Sequence, residues 1–386
     1  MQREFELIVN QNSRGLDELE PCGEKPFAFH RSLPGYRPGP LRRLAAVEKM
    51  LGVRRVWVKD ESNRFGLPAF KVLGAAWAVY GMLRRELGLD DETLYTLDEL
   101  AARVGDVEPI ELVTATDGNH GRGVARVAAW LGLEAMVSMP RGSARARIEA
   151  IRSEGAHVRV VEGDYDRAVR EAAARARKVP GSRLVQDTAW PGYEEMPRWI
   201  VEGYSTIGRE ADEALGALGE PDPDLVVVQI GVGSLAAAMV RHYRNGGGDK
   251  PLMLGVEPRG AACALESIRA GEPRSVPGPH GSAMAGLNCG TLSSIAWPLI
   301  RDGIDLFVSI GDEAAFDAMR MLAAEGVVSG ESGASGLAGV LELARRRRNT
   351  LEDALGLGEG SSLLVISTEG ITDPVLYEQV TGRKGA

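Results

Sequence analysis

The chain has 386 residues, 44% hydrophobic and 26% charged, with a formal net charge of −9. That length buries a large core in one large or two medium domains, and the composition is that of a water-soluble globular protein. The acidic balance disfavours a nucleic-acid or anionic-membrane partner, no run of about 18 apolar residues is present, and the start Met1-Gln2-Arg3-Glu4-Phe5-Glu6 opens no apolar leader core, so a cytoplasmic protein is expected. Cys22, Cys263 and Cys289 have no metal-ligand spacing, and no metal is expected.

In chain order, residues 55–59 (Arg-Val-Trp-Val-Lys) read as a strand and 70–87 as a helix. Residues 89–109 are acidic with little apolar periodicity and read as an insertion or domain connection. A strand at 111–115, a glycine-rich turn and a helix over 121–131 follow, then strand 135–139, helix 144–154, strand 157–161 and helix 165–178. Residues 187–197 are rich in Pro, Gly and aromatics and read as a second break. Further strands are expected at 225–230, 252–256 and 363–367, and a helix over 336–348 ends in Arg345-Arg346-Arg347-Arg348, where cations suit the helix dipole and a solvated end is the plain reading. Short β-branched runs separated by helices predict an α/β fold with two domains, each a mostly parallel twisted sheet covered by helices. The expected boundaries are 1–92 and 193–386 for a large domain and 93–192 for a small one.

One amine stands alone in an apolar run: Lys71, between Phe70 and Val72-Leu73. A desolvated lysine offers a neutral amine to a carbonyl, which is what a Schiff-base lysine requires. Ile230-Gly231-Val232-Gly233-Ser234-Leu235-Ala236 follows a buried strand and opens a helix, so its backbone N–H groups suit a phosphate. The same segment, with Glu257 at the end of the next strand, imitates a dinucleotide fingerprint, and a plain tight turn is a third reading. Thr116-Asp117-Gly118-Asn119-His120 makes a second strand-to-helix turn whose N–H groups could hold a carboxylate. Asp117 is either a helix cap or a base there, Asn119 could donate to a ring oxygen, and His120 is more often structural than catalytic. Ser367 or Thr368, at the end of the last buried strand, could meet a heterocycle nitrogen or simply cap a turn, and Glu331 could orient a ring or cap a helix.

Taken together these segments resemble the fold-type II pyridoxal-phosphate enzymes, and within them the diaminopropionate ammonia-lyase family. The likeness rests on Asp60-Glu61-Ser62-x-Arg64-Phe65-Gly66-Leu67-x-Ala69-Phe70-Lys71, Thr116 to Gly123, Gln186-Asp187-Thr188-Ala189-Trp190-x-Gly192-Tyr193-Glu194-Glu195-x-Pro197, Met284 to Gly290 and Ser367 to Asp373. The resemblance implies pyridoxal 5'-phosphate as cofactor, held covalently by Lys71. It places the phosphate on Gly231, Val232, Gly233, Ser234 and Leu235, the ring hydroxyl on Asn119, and the pyridine nitrogen on Ser367 or Thr368. It implies that Thr116, Asp117, Gly118 and His120 bind an amino-acid substrate, that Lys71, Asp117 and Asp187 act in catalysis with Asp187 near the β-amine, and that the protein is a homodimer. Related dehydratases carry a small or uncharged residue at the Asp117 place, which favours a substrate with an extra positive charge.

The expected reaction is α,β-elimination of D- and L-2,3-diaminopropionate to pyruvate and two ammonia. The alternatives are a D-serine or threonine dehydratase or a β-replacement enzyme of the same fold, a non-catalytic cofactor-binding protein, and a nicotinamide-dependent dehydrogenase. A disulfide between Cys263 and Cys289, beside the loop 277–288, is a further conjecture.

Overall fold

A computed structural model describes residues 5–13, 19–105, 107–245, 250–346 and 351–384. Eleven strands occur among them: β1 (Phe5–Val9), β2 (Leu41–Arg43), β3 (Arg55–Asp60), β4 (Glu111–Ala115), β5 (Glu134–Pro140), β6 (His157–Val161), β7 (Ser182–Leu184), β8 (Leu225–Gln229), β9 (Leu252–Pro258), β10 (Leu306–Ile310) and β11 (Ser362–Ser367). The chain divides into two compact units, one of Met1–Pro21, Pro38–Asn63 and Ile207–Ala386, the other of Cys22–Arg37 and Arg64–Thr206.

The first unit holds a seven-stranded sheet in the order β1-β10-β9-β8-β11-β3-β2. Its five inner strands are parallel and only the two edge strands run antiparallel. Every residue of β8, β10 and β11 is buried, as expected of continuous β-branched runs in a sheet covered on both faces. Helix Glu331–Arg346 lays Leu337, Val340, Leu341 and Ala344 into the core with Val227, Val256, Val308 and Val365. It starts five residues earlier than its sequence pattern indicates. Arg345 at its end pairs with Asp317 and Glu342 in solvent, and Arg347 and Arg348 of the expected basic run lie outside the described residues.

The second unit has a four-stranded, wholly parallel sheet in the order β6-β5-β4-β7. Val113 and Ala115 of β4 pack with Val161, Ala168 and Ala172 to form a small core. Helix Lys71–Glu86 is also in this unit, together with 22–37 and 193–206, which corrects the boundaries expected from sequence. The reason is close packing that no linear pattern displays. A Cβ on Gly123 would come within 3.0 Å of Val72 N, so glycine lets helix Asn119–Leu131 lie against the backbone of the lysine helix. On another side, Gly203 abuts Leu73 O and Gly74 abuts the Tyr204 ring. Residues 89–109 are not structureless either. Helix Leu97–Val104 is closed by a capping box of Thr96 and Glu99 and buries Leu97, Leu100 and Val104 at helical spacing.

At the carboxyl end of β3 the first unit buries three charged groups completely. Lys59 Nζ is 2.7 Å from Glu61 Oε1, 2.7 Å from Glu210 Oε2 and 2.8 Å from Gly39 O, and Gly39 N donates to Glu210 Oε2 at 3.0 Å. All three donor directions of the ammonium are therefore used. Removing the cation leaves two buried carboxylates without their counter-charge, so Lys59→Met should cost about 3–5 kcal/mol in urea unfolding. A loss below about 1 kcal/mol would contradict the assignment.

Candidate active site

In the second unit, Lys71 is the first residue of its helix, and its Nζ lies 2.7 Å from Asp187 Oδ2. The amine is thus half of an ion pair, where its apolar sequence neighbours suggested isolation. The Phe70 ring lies under the same ammonium, 5.6 Å from its centroid. Asp187 stands just beyond the end of β7 and is buried. Burial alone would push its carboxyl up; the Lys71 ammonium, in contact and hydrogen-bonded, overcomes this and holds it at about 2.

The turn after β4 supplies the other members. Thr116 Oγ1 accepts from Gly118 N at 3.0 Å, and Gly121 is tight against Thr116 and Val137, so the turn is fixed by its own side chains. Asp117 is half-buried, and lost solvation pushes its carboxyl up to about 7, with Arg147 and Lys71 opposing and Asp187 adding to the rise. Two carboxylates that both feel the Lys71 charge therefore have opposite tendencies. Asp187 stays charged, whereas Asp117 exchanges its proton near neutrality. Asn119 starts the following helix in the same turn.

His120 Nε2 lies 2.8 Å from Val185 O. A carbonyl can only accept, so Nε2 carries the hydrogen and Nδ1 presents a lone pair. That Nδ1 is buried, without a hydrogen-bond partner, and 3.9 Å from Asp187 Oδ2. Burial holds the ring below its usual value, which keeps it neutral.

The first unit brings a second group of residues together at the carboxyl ends of the adjacent parallel strands β8 and β11. Gly233 has φ 94°, and a Cβ there would collide with Ile300, so only glycine makes this turn into helix Ser234–Tyr243. Gly231 is less confined, with Gly286 O and Cys289 Sγ 3.2 and 3.4 Å from where a Cβ would sit. The first-turn N–H groups at Ser234 and Leu235 have no acceptor within the helix, an arrangement that suits an anion.

The hydroxyls after β11 divide. Ser367 Oγ donates to Ser329 Oγ at 2.8 Å, and Ser329 in turn donates to Gly330 O at 3.3 Å. Thr368 Oγ1 instead accepts from Gln229 Nε2 at 2.8 Å, which leaves its own proton to give. Of the two candidates for a heterocycle nitrogen, Thr368 has the better-prepared donor. Gln229 was missed in the sequence, although an amide inside the run Val226-Val227-Val228-Gln229-Ile230 is itself a signal. Glu331, buried, opens the helix Glu331–Arg346, while the acid that accepts from Ser332 N is Glu369, at 3.1 Å.

Glu257 is committed elsewhere. It accepts from Ala264 N and Leu265 N at 2.8 Å each, capping helix Cys263–Ala270, and burial pushes it up to about 8. A neutral capping acid cannot serve as the ribose-binding carboxylate of a dinucleotide site, so that reading of the glycine turn lapses. Cys263 and Cys289 are buried thiols that both lie against Gly231, with no disulfide between them.

The first unit holds a glycine turn opening a helix and a hydroxyl prepared for a ring nitrogen, and the second holds a lysine with ionisable partners; these are the kinds of part that pyridoxal phosphate needs. The chain belongs to the pyridoxal-phosphate-dependent enzyme family, whose model matches residues 33–365, and its fold is that of fold type II. It is 41% identical over 372 residues to the diaminopropionate ammonia-lyase of Salmonella typhimurium, spanning 93% of this chain and 91% of that one. It is 40% identical to the Escherichia coli K12 enzyme of the same name over 360 residues, 91% and 89% of the two chains. The crystal structure of the E. coli enzyme in complex with D-serine superposes with a TM-score of 0.89 at 36% identity, covering 97% of this chain and 96% of that one.

The raised Asp117 carboxyl has a sign that stability measurements can read. Between about pH 4 and 7 the folded state keeps a proton that the unfolded chain releases, so this residue costs stability as pH rises. Asp117→Asn should therefore raise the melting temperature of the cofactor-free protein more at pH 8 than at pH 4. An equal shift at both values would contradict the raised carboxyl.

Proposed function

We propose that the protein is a pyridoxal-phosphate-dependent ammonia-lyase that eliminates ammonia from both D- and L-2,3-diaminopropionate, yielding pyruvate and two ammonia. The observation that carries this reading is a pair of carboxyls with opposite tendencies, Asp187 in contact with Lys71 and Asp117 within reach of its charge. The near-full-length likeness to two diaminopropionate ammonia-lyases supports it.

Lys71 Nζ would carry the cofactor, the N–H groups of Gly231, Val232, Gly233, Ser234 and Leu235 its phosphate, Asn119 its ring hydroxyl and Thr368 its ring nitrogen. When bound, the cofactor withdraws electrons from the α-carbon of an attached amine and acidifies the α-proton. A hydroxyl rather than a carboxylate at the ring nitrogen limits how much charge the ring takes, which favours elimination over transamination. The N–H groups of Thr116, Gly118 and His120 would hold the substrate carboxylate.

Lys71, as a neutral amine, would take the α-proton of the L-isomer. Asp117, ionised in part at neutral pH, takes that of the D-isomer. Asp187, charged throughout the working range, keeps the β-amine in its ammonium form, and that group departs as ammonia with the C–N bonding pair. The released 2-aminoacrylate hydrolyses to pyruvate and the second ammonia. A substrate lacking the β-ammonium leaves Asp187 without a cation, which explains why a diamino acid suits this site better than serine or threonine. A homodimer in the cytoplasm completes the proposal, and among the described residues no helix is long and apolar enough to cross a membrane.

Steady-state turnover of Asp117→Asn on the two isomers tests the division of labour. Loss of a positioned base lowers D-isomer turnover by about 100-fold or more, with less than a tenfold effect on the L-isomer. Equal losses would remove the two-base scheme.

A further inference from the structure

Strand β7 ends at Leu184, paired with Val113 of β4, and the chain then turns away from the sheet toward Asp187. Val185 N still donates to Val113 O at 2.8 Å, but the next N–H of β4 on that side, at Ala115, has no strand to meet. The side chain of Gln186 takes the strand's place. Its Oε1 accepts from Ala115 N at 3.0 Å and from Thr114 Oγ1 at 3.2 Å. Its Nε2 donates to Tyr165 OH at 2.9 Å and to Asp187 Oδ1 at 3.3 Å. Its backbone N donates to Tyr193 OH at 2.8 Å, and Tyr193 OH donates to Leu184 O at 2.9 Å.

The amide is completely buried, and its orientation is not a free choice. A backbone N–H can only donate, so Oε1 must face Ala115 and the NH2 group must face Asp187. We propose that Gln186 is the positioning residue for Asp187: its amide occupies Oδ1, and so delivers Oδ2 to Lys71. The charged and titratable groups around Asp187 are then Lys71 from helix Lys71–Glu86, Asp117 and His120 from the turn after β4, and the phenols of Tyr193 and Tyr204. Gln186 donates to Asp187 as a neutral amide, and the sheet itself fixes which way it points. The consequence for catalysis rests on the proposed lyase reaction; the hold on Asp187 does not.

The informative variant is Gln186→Glu, which keeps the length and the bonds to Ala115 and Thr114 but turns the donor facing Asp187 into an anionic acceptor. Two facing carboxylates cannot both stay ionised at low cost. In holoenzyme carrying aspartate labelled with 13C at the side-chain carboxyl, with the Asp187 signal assigned by its loss in Asp187→Asn, the wild-type signal should show no titration down to pH 4. In Gln186→Glu it should titrate between pH 4 and 7. With diaminopropionate as substrate, kcat should fall by about 100-fold while KM changes less than threefold, and the acid limb of the kcat profile should move up. In an Asp187→Asn background the second substitution should lower kcat no further, since Gln186 acts through Asp187.

An unshifted carboxyl signal, or a full further loss in the Asp187→Asn background, would overturn the positioning role. A wild-type holoenzyme inactive on diaminopropionate whose Asp187 signal nonetheless shifts in Gln186→Glu would overturn the lyase reading and uphold the positioning role.

Discussion

The proposed chemistry depends on an ion pair between the amine of Lys71 and the carboxylate of Asp187, 2.7 Å apart. A lone amine at the head of an apolar helix would be reactive but unguided. A carboxylate beside it fixes the position of Nζ and gives the site a permanent negative charge that burial alone would have neutralised. The surrounding fold supplies what that pair needs. Gly123 and Gly203 let backbone approach the lysine helix closely, and the amide of Gln186 replaces a missing strand and meets the other oxygen of the acid.

The same logic separates the two carboxylates. Asp187 is deeply buried with an ammonium in contact, and stays ionised. Asp117 is half-buried, with the charges of Arg147 and Lys71 opposing, and lost solvation wins. In the proposed reaction two identical side chains thereby gain different work: one escorts a cation, the other exchanges a proton. A substrate bearing a second ammonium matches the first role, and one whose α-proton can point to either side matches the second.

Much of this was legible in the residues. Continuous runs such as Leu225-Val226-Val227-Val228 announced a buried parallel sheet, because a strand covered on both faces has no polar face to alternate. The glycine turn at 231–233 was equally plain, since a left-handed φ admits little else. Strands β1, β2 and β7 were not visible: they lie at sheet edges, where neither alternation nor a full apolar run is required. Strand β10, a Leu-Phe-Val-Ser-Ile run, carried the same signal as its neighbours and was passed over. The membership of the lysine helix in the second unit depends on glycine contacts between segments far apart in sequence, which periodicity cannot express. Lys71 itself was found for a partly mistaken reason, because its apolar neighbours in sequence hid an acid 116 residues away. The choice between Ser367 and Thr368 also had to wait for the structure, since it turns on which hydroxyl proton Ser329 already receives.

The claim on which the account stands is that Lys71 is the covalent anchor of the cofactor. Borohydride reduction of the coloured holoenzyme, followed by proteolysis and mass spectrometry, tests it directly. The account predicts a pyridoxyl-phosphate adduct on the peptide containing Lys71 and loss of that adduct in Lys71→Ala. An adduct on another lysine, or no adduct from protein saturated with cofactor, would contradict it.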